Sequence, residues 1–519
     1  MSAFSFNLVD RPWIPCVEIS GGRRTLGLLE LLSRAHELRG IEPKSPLAEA
    51  ALLRVLLAAV HRIVAGPKST SEWKELYQAG KLPAARINAY FEKWRDRFDL
   101  FSSDEPFYQT PGLAIRDAKG AEAPAVINGI MLERASGNNK TIFDHSMDED
   151  PGYLSPEEAV FALITAQMYS LRGLNKKTTN LFGYQESFSD SVLVGGIFTT
   201  LQGQNFFESL LLNLLLYTDN LPIHSSSDDC PVWERHDHGK VGVRTPRGYL
   251  DYLTCKCRHI LLVPEQNLDG PCIGHVHIAQ GEAFQDVDNP GFIRRKNKEG
   301  KWFPVQMQPA RLVWRDSTSL FSFDTGSREG DRRPDAFRLV SDIALRRIVP
   351  LPSKYRCCTY GLANDQANPL AWRKEILSIP TALLSDPDLV ACLREAMSVC
   401  DKAHMILRDA VRTYMVKYLP KNSRDVAEKS NATGASRLFW DRLENHFNAF
   451  LLEIENQDEA VVTWEQDVKR AALDAFEACL KQRYADSAKT FRAWTQARGQ
   501  LFARLAALSK ALSKKGGQT

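Results

Sequence analysis

The texture of the chain breaks at Asp386. Beyond it prolines and glycines nearly vanish until the tail, and four stretches of helical periodicity follow, near Asp388 to Tyr418, Ser436 to Glu455, Ala460 to Arg483 and Ser487 to Leu512. In the second, Leu443, Phe447, Phe450 and Ile454 fall on one face. In the last, Phe491, Trp494, Leu501, Leu505, Leu508 and Leu512 fit an a/d seam that Arg498 interrupts. Each stripe has to be buried against the others, which predicts a C-terminal four-helix bundle over residues 387–519.

Residues 1–386 read differently. Helical spacing is strong at Pro46 to Ile63 and returns at Pro156 to Leu171 and Phe206 to Tyr217. The segments Gly248 to Val263 and Arg311 to Phe323 are β-like, and Gly, Pro and Asp interrupt them often. The expected class is therefore α+β: a large, irregular mixed N-terminal domain with long loops, then the bundle. A chain of 519 residues exceeds one hydrophobic core, in keeping with two or three domains.

Charge excludes little globally. With 66 basic and 63 acidic residues the formal charge is +3, so any nucleic-acid contact has to be a local patch. From Leu389 onward, 21 Lys and Arg face 16 Asp and Glu, and from Lys481 onward nine basic residues face Asp486 alone. A basic last helix of this kind suits phosphates, and equally a solvated helix face. No apolar run approaches the roughly 18 residues that span a bilayer, and the first residues lack a signal pattern, so no membrane partner and a cytoplasmic location are expected. Ten scattered cysteines suit a reducing compartment.

The catalytic signals in the chain are mostly incomplete. Cys230, His236, His238, Cys255, Cys257, His259, Cys272, His275 and His277 are concentrated enough to suggest zinc, but the paired C-x2-4-C spacing is missing. Cys255, Cys257 and His259 alternate on an expected strand and would share one face. The same cluster, read as a metal-dependent nucleic-acid hydrolase, lacks an accompanying acidic pair or an HExxH. Gly66-Pro67-Lys68-Ser69 has only the end of a phosphate-binding loop, and Asp144 to Asp150 lacks the glycine and terminal glutamate of a calcium loop. The expectation is a protein that is not an enzyme and carries no metal or cofactor.

Two stretches carry more information than composition: Phe6 to Pro15 (FNLVDRPWIP) and Tyr360 to Trp372 (YGLANDQANPLAW). The first reads as a strand through Phe6 and Leu8, a turn at Asp10 to Pro12, and a strand from Trp13. Together with Glu105 to Thr110, Ala135 to Lys140, Phe198 to Gly203 and Phe439 to Phe447, they resemble the CasA family, the large subunit of the type I-E Cascade, a CRISPR surveillance complex. The order of domains agrees with that family.

The resemblance implies a non-catalytic subunit of a crRNA-guided complex that inspects duplex DNA for a protospacer-adjacent motif (PAM) through the minor groove, wedges the duplex open and helps recruit a helicase-nuclease. By motif position the wedge is Asn364, Asp365, Gln366, Ala367 and Asn368; the alternative is a polar turn capping a helix that starts near Pro369. The PAM-facing glycine loop falls within Asn180 to Ser191, with Asn180, Phe182 and Gly183, and has only one glycine. No lysine matches the family's lysine finger: the corresponding Cys272 to Gln280 holds His275 and His277, leaving Lys176 and Lys177 as substitute cations. Asn138, Asn139, Lys140 and Phe143 would grip the 5′ handle of the crRNA. Lys481, Lys489, Arg492, Arg498 and Arg504 would form a track for the displaced strand. Implied partners are the crRNA, the target duplex, the backbone, handle-binding and small subunits, and the helicase-nuclease. The alternatives are a metal-dependent nucleic-acid hydrolase using the Cys230 to His277 cluster, and a scaffold without DNA readout.

Overall fold

The computed structural model describes residues 4–117, 119–134, 152–174, 178–184, 187–218, 221, 223–237, 239, 241–268, 270–285, 287–297, 299–323, 332–420, 425–484 and 487–513. The chain divides into two compact units. One comprises residues 1–309, 326–351 and 355–376, the other residues 310–325, 352–354 and 377–519.

The first unit is mixed. Strand β1 (Ile14–Glu18) pairs antiparallel with both β2 (Arg23–Leu26) and β3 (Leu38–Ile41). Phe6 and Leu8 are buried, yet no strand precedes the turn: Asn7 takes the Val9 amide on its side-chain oxygen at 3.0 Å, and this local bond competes with a ladder. Helix α1 (Pro46–Val64) is buried on nearly all faces and is the axis of the core. Proline at its first position removes one of the amides that would have no intrahelical partner. Helix α2 (Pro156–Tyr169) packs against α1 and begins with a capping box, Ser155 with Glu158.

A short ribbon follows, β4 (Gly173–Leu174) antiparallel to β5 (Ser187–Phe188). Strand β6 (Phe198–Gln202) leads into α3 (Phe206–Leu212), which is capped by Asn205. This helix stops well before the expected Tyr217, because Asn213 turns back to donate to Leu201 O at 2.6 Å and Ser209 O at 2.7 Å. The β-like reading of Gly248 to Val263 holds only for its end. Residues Tyr249–Leu253 are helical, with the distant Asp229 carboxylate accepting from the Leu250 and Asp251 amides at 3.0 and 2.8 Å. That cap comes from 21 and 22 residues upstream, outside any local pattern.

Two hairpins complete the unit. Strand β7 (Arg258–Asn267) pairs antiparallel with β8 (Gly270–Gln280). In a second sheet β9 (Lys354–Asp365) lies between β6 and β10 (Asn368–Pro380). The segment after Ala367 is thus a strand, and the helix considered near Pro369 does not form.

The second unit is helical: α4 (Pro387–Tyr418), α5 (Val426–Ala432), α6 (Ala435–Glu453), α7 (Gln457–Tyr484) and α8 (Ala488–Ser513). The four long helices pack on one another through α4 with α6, α7 and α8, α6 with α7, and α7 with α8. Trp464 is buried against Phe447 and Phe450 and donates to Ala396 O at 3.1 Å. The seam of α8 differs from the expected one. Ala493, Ala497, Leu501 and Leu505 are buried at i, i+4 spacing, while Phe491 is 55% exposed. Small alanines allow close helix approach, so burial follows backbone proximity and not side-chain hydrophobicity.

The strand expected between Arg311 and Phe323 is absent. Val313–Asp316 forms a 3-10 turn and Ser317–Leu320 a helical turn. Short apolar runs do not separate helix from strand by period alone, and here Trp314 is claimed by stacking on Phe447 at 4.8 Å.

Candidate nucleic-acid interface

The Gln366–Ala367 turn joins two long strands at the edge of the unit. Gln366 has a positive φ of 52°, and Asn364 Nδ2 donates to its carbonyl at 2.7 Å, so the tip is a defined turn. Asp365, Gln366 and Asn368 are exposed and Leu370 beside them is 51% exposed. The tip therefore offers amide donors and acceptors next to an apolar flank.

Gln366, Ala367 and Pro369 line a cleft of about 780 Å³. Its other walls are Asn128 to Leu132 with Arg134, and Ser170 to Leu174 with Ser187 and Phe188 of the β4–β5 ribbon. Two arginines enter it. The main-chain amide of Arg172 donates to Asp190 at 2.7 Å and its guanidinium, 3.9 Å from that carboxylate, stays 62% exposed. Arg134 donates to Asn128 Oδ1 at 3.2 Å. Leu174, 82% exposed, adds an apolar group to the same lining.

The residues read from the sequence divide into three groups. The wedge residues sit on the hairpin tip. Asn180 and Phe182 serve packing: Asn180 clamps Ala114 N and Gly112 O, both at 2.8 Å, and Phe182 stacks on His259 at 4.1 Å. Gly183 occupies a short strand pairing with Thr179, with a φ of 68°. Lys176, Lys177, Asn138, Asn139, Lys140 and Phe143 lie outside the described residues. Sequence reading missed Arg134, Arg172 and Leu174; the Arg-Gly pair at 172–173, beside an apolar residue, was the available signal.

On the last helix, Arg498 pairs with Glu477 and Arg504 with Asp409, each at 2.7 Å. Lys489 and Arg492 are exposed, and the side chain of Lys481 lies outside the described residues.

The Cys/His concentration is spread over separate contacts. Cys255 and Cys257 lie before β7, not on it, with sulfurs 3.1 Å apart. His259 bonds Thr110 at 2.9 Å, His275 pairs with Glu265 at 2.7 Å, and His277 Nδ1 accepts from Ile115 N at 3.1 Å, burial lowering its basicity. Among the described residues no group of three or more His, Cys, Asp or Glu side chains is placed to hold a metal ion. No described helix is long and apolar enough to cross a membrane.

A mixed unit of many small sheets with a clefted hairpin tip, joined to an all-helical unit, defines the class of fold. The chain belongs to the CRISPR-associated protein Cse1 family, whose sequence profile matches residues 7–475. It is 28% identical over 493 residues to the CRISPR-associated protein CasA/Cse1 of Thermus thermophilus, covering 91% of this chain and 92% of that one. The crystal structure of Cse1 from Acidimicrobium ferrooxidans superposes with a TM-score of 0.83 at 23% identity, over 98% of this chain and 99% of the other. A chain of a CRISPR RNA-guided surveillance complex superposes with a TM-score of 0.75 at 20% identity, over 96% and 99%.

Proposed function

We propose that this chain is a non-catalytic subunit of a crRNA-guided CRISPR surveillance complex, and that the cleft beneath the Gln366–Ala367 tip inspects duplex DNA for the PAM. Family membership and the likeness to a chain of such a complex support the setting. The observation that carries the DNA reading is the shared cleft: a polar hairpin tip, the Arg172 and Arg134 side chains and exposed Leu174 face one space.

Minor-groove edges offer mainly acceptors, which arginine and a glutamine amide complement. Arg172 takes the place of the missing lysine finger. An apolar group inserted at a base step unstacks it for a few kcal/mol, and Leu174 in the cleft lining or Leu370 beside the tip supplies one. Strand exchange with the crRNA then proceeds by base pairing, and cutting falls to a recruited helicase-nuclease. The 136–143 segment would grip the crRNA handle, and the helical unit would meet the small subunits. Among the described residues Lys489 and Arg492 have no acidic partner of the kind that holds Arg498 and Arg504, and they would be the displaced-strand cations.

The test is target-duplex opening by the crRNA complex reconstituted with this chain, on matched and scrambled PAM DNA at fixed salt. Gln366→Ala, and deletion of Asp365 to Ala367, are expected to slow opening of the matched duplex while assembly is unchanged. Normal opening by both variants overturns the wedge assignment.

A further inference from the structure

Arg258, the first residue of β7, is 1% exposed and lines the cleft wall behind the ribbon. Its guanidinium donates to three main-chain carbonyls: Cys257 O at 2.9 Å, Leu171 O at 3.0 Å and Ser189 O at 2.6 Å. Leu171 and Ser189 are the two feet of the β4–β5 ribbon, one just before Gly173 and one just after Phe188. The Phe188 ring lies 5.0 Å from the guanidinium carbon.

The grip is reinforced from both sides. Gln280, the cross-strand partner of Arg258, accepts from the Ser189 amide at 2.8 Å, so the N–H and the C=O of Ser189 are both held. Gln167 of α2 brackets the Arg258 backbone, accepting from its amide at 2.9 Å and donating to its carbonyl at 2.8 Å. Nη2 alone serves both ribbon carbonyls while Nη1 holds Cys257 O, so three divergent bonds fix the guanidinium plane, which a compact ammonium on a flexible stem does not reproduce. Burial costs this cation, lowering its pKa to about 10, and such a cost is borne where the geometry matters.

We propose that Arg258 is the positioning residue of the cleft: by pinning both feet of the ribbon it sets the distance between the ribbon and the Gln366–Ala367 tip, and hence the groove width the cleft accepts. The inference rests on the duplex reading above. Groove width varies with DNA sequence, so a fixed gap converts shape into discrimination. A loosened ribbon admits duplexes of differing width and discriminates less.

The experiment uses the full chain with Arg258→Lys, which keeps the charge and loses the fork, beside Gln366→Ala as reference. Hydrogen exchange at the 173–174 and 187–188 amides is expected to rise about tenfold in Arg258→Lys, the scale of losing a charge-assisted hydrogen bond. In the reconstituted crRNA complex, the ratio of matched to scrambled PAM binding is expected to fall while binding of scrambled duplex stays constant. A purely structural role would lower both. Unchanged ribbon exchange overturns the proposal, and so does intact discrimination in Arg258→Lys when Gln366→Ala has lost it, with the duplex reading left standing. If neither variant alters discrimination, the duplex reading falls and takes the inference with it. Should Arg258→Lys fail to fold, Phe188→Ala loosens the same clamp from the half-buried ribbon side and is expected to reduce discrimination; an unchanged ratio there overturns the proposal.

Discussion

The two units use the same charged residue types in opposite ways. In the mixed unit Arg235 and Arg244 meet Asp251 and Glu282 in a network whose carboxylates are 1% exposed, with Arg235–Glu282 at 2.9 Å and Arg244–Glu282 at 2.8 Å. In the helical unit the pairs Arg442–Asp474, Arg498–Glu477 and Arg504–Asp409 lie on the outer faces. A buried carboxylate between two guanidiniums ties the Gly242–Arg244 and Glu282–Phe284 strands to the Tyr249–Leu253 helix. An exposed pair on a helix contributes little, because the helix is already held by its apolar stripe. Counting basic residues along the chain therefore says little about where a cation is available to a ligand.

The largest expected effect is on the buried network. Glu282→Gln leaves Arg235 and Arg244 short of a counter-charge, and should cost about 3 kcal/mol in the urea transition of the mixed unit. A loss below about 1 kcal/mol would put this network on a par with surface pairs.

Next is a pH dependence. Lys256 is buried, with Nζ donating to Gln109 O at 2.6 Å, and burial followed by the nearby Arg235 charge lowers its pKa to about 7. The folded value lies below the unfolded one, so between about pH 7 and roughly pH 10 the unfolded chain binds more protons and stability rises with pH. Below that window both states are protonated and the penalty is fully present. Lys256→Met should remove the rise in melting temperature from pH 7 to pH 9.5; a retained rise assigns it to another group.

The smallest effect closes the comparison. Arg498→Ala and Arg504→Ala should each change stability by less than about 1 kcal/mol, measured by urea unfolding of the full chain. A loss as large as that of Glu282→Gln would erase the contrast between the units.

Much of the fold is legible in the sequence where a local period decides it. The bounds of α1, α2, α4 and α6 to α8 follow from apolar spacing, proline at the first turn and capping residues such as Ser155. The readings that changed are those in which a distant group intervened. Asp229 caps the Tyr249–Leu253 helix, Asn213 ends α3, and Trp314 is drawn into aromatic stacking where its neighbours suggested a strand. For the candidate site, the tip was legible because its residues are contiguous, whereas Arg172 carries only the weak signal of the following glycine and nothing beside Arg134 marks it as lining the same cleft.

By itself the sequence determined the helical stripes of residues 387–519, the α+β character before them and the motifs that tie the chain to its family, because each is written in neighbouring residues. Tertiary structure alone decided which arginines are neutralised, which are exposed, and that the hairpin tip shares a cleft with the ribbon. The clamp at Arg258 shows why: its bonds span 87 and 69 residues, and no periodicity reaches that far. Such contacts form only after the core has brought the strands together, and their energy depends on burial that the linear chain does not encode.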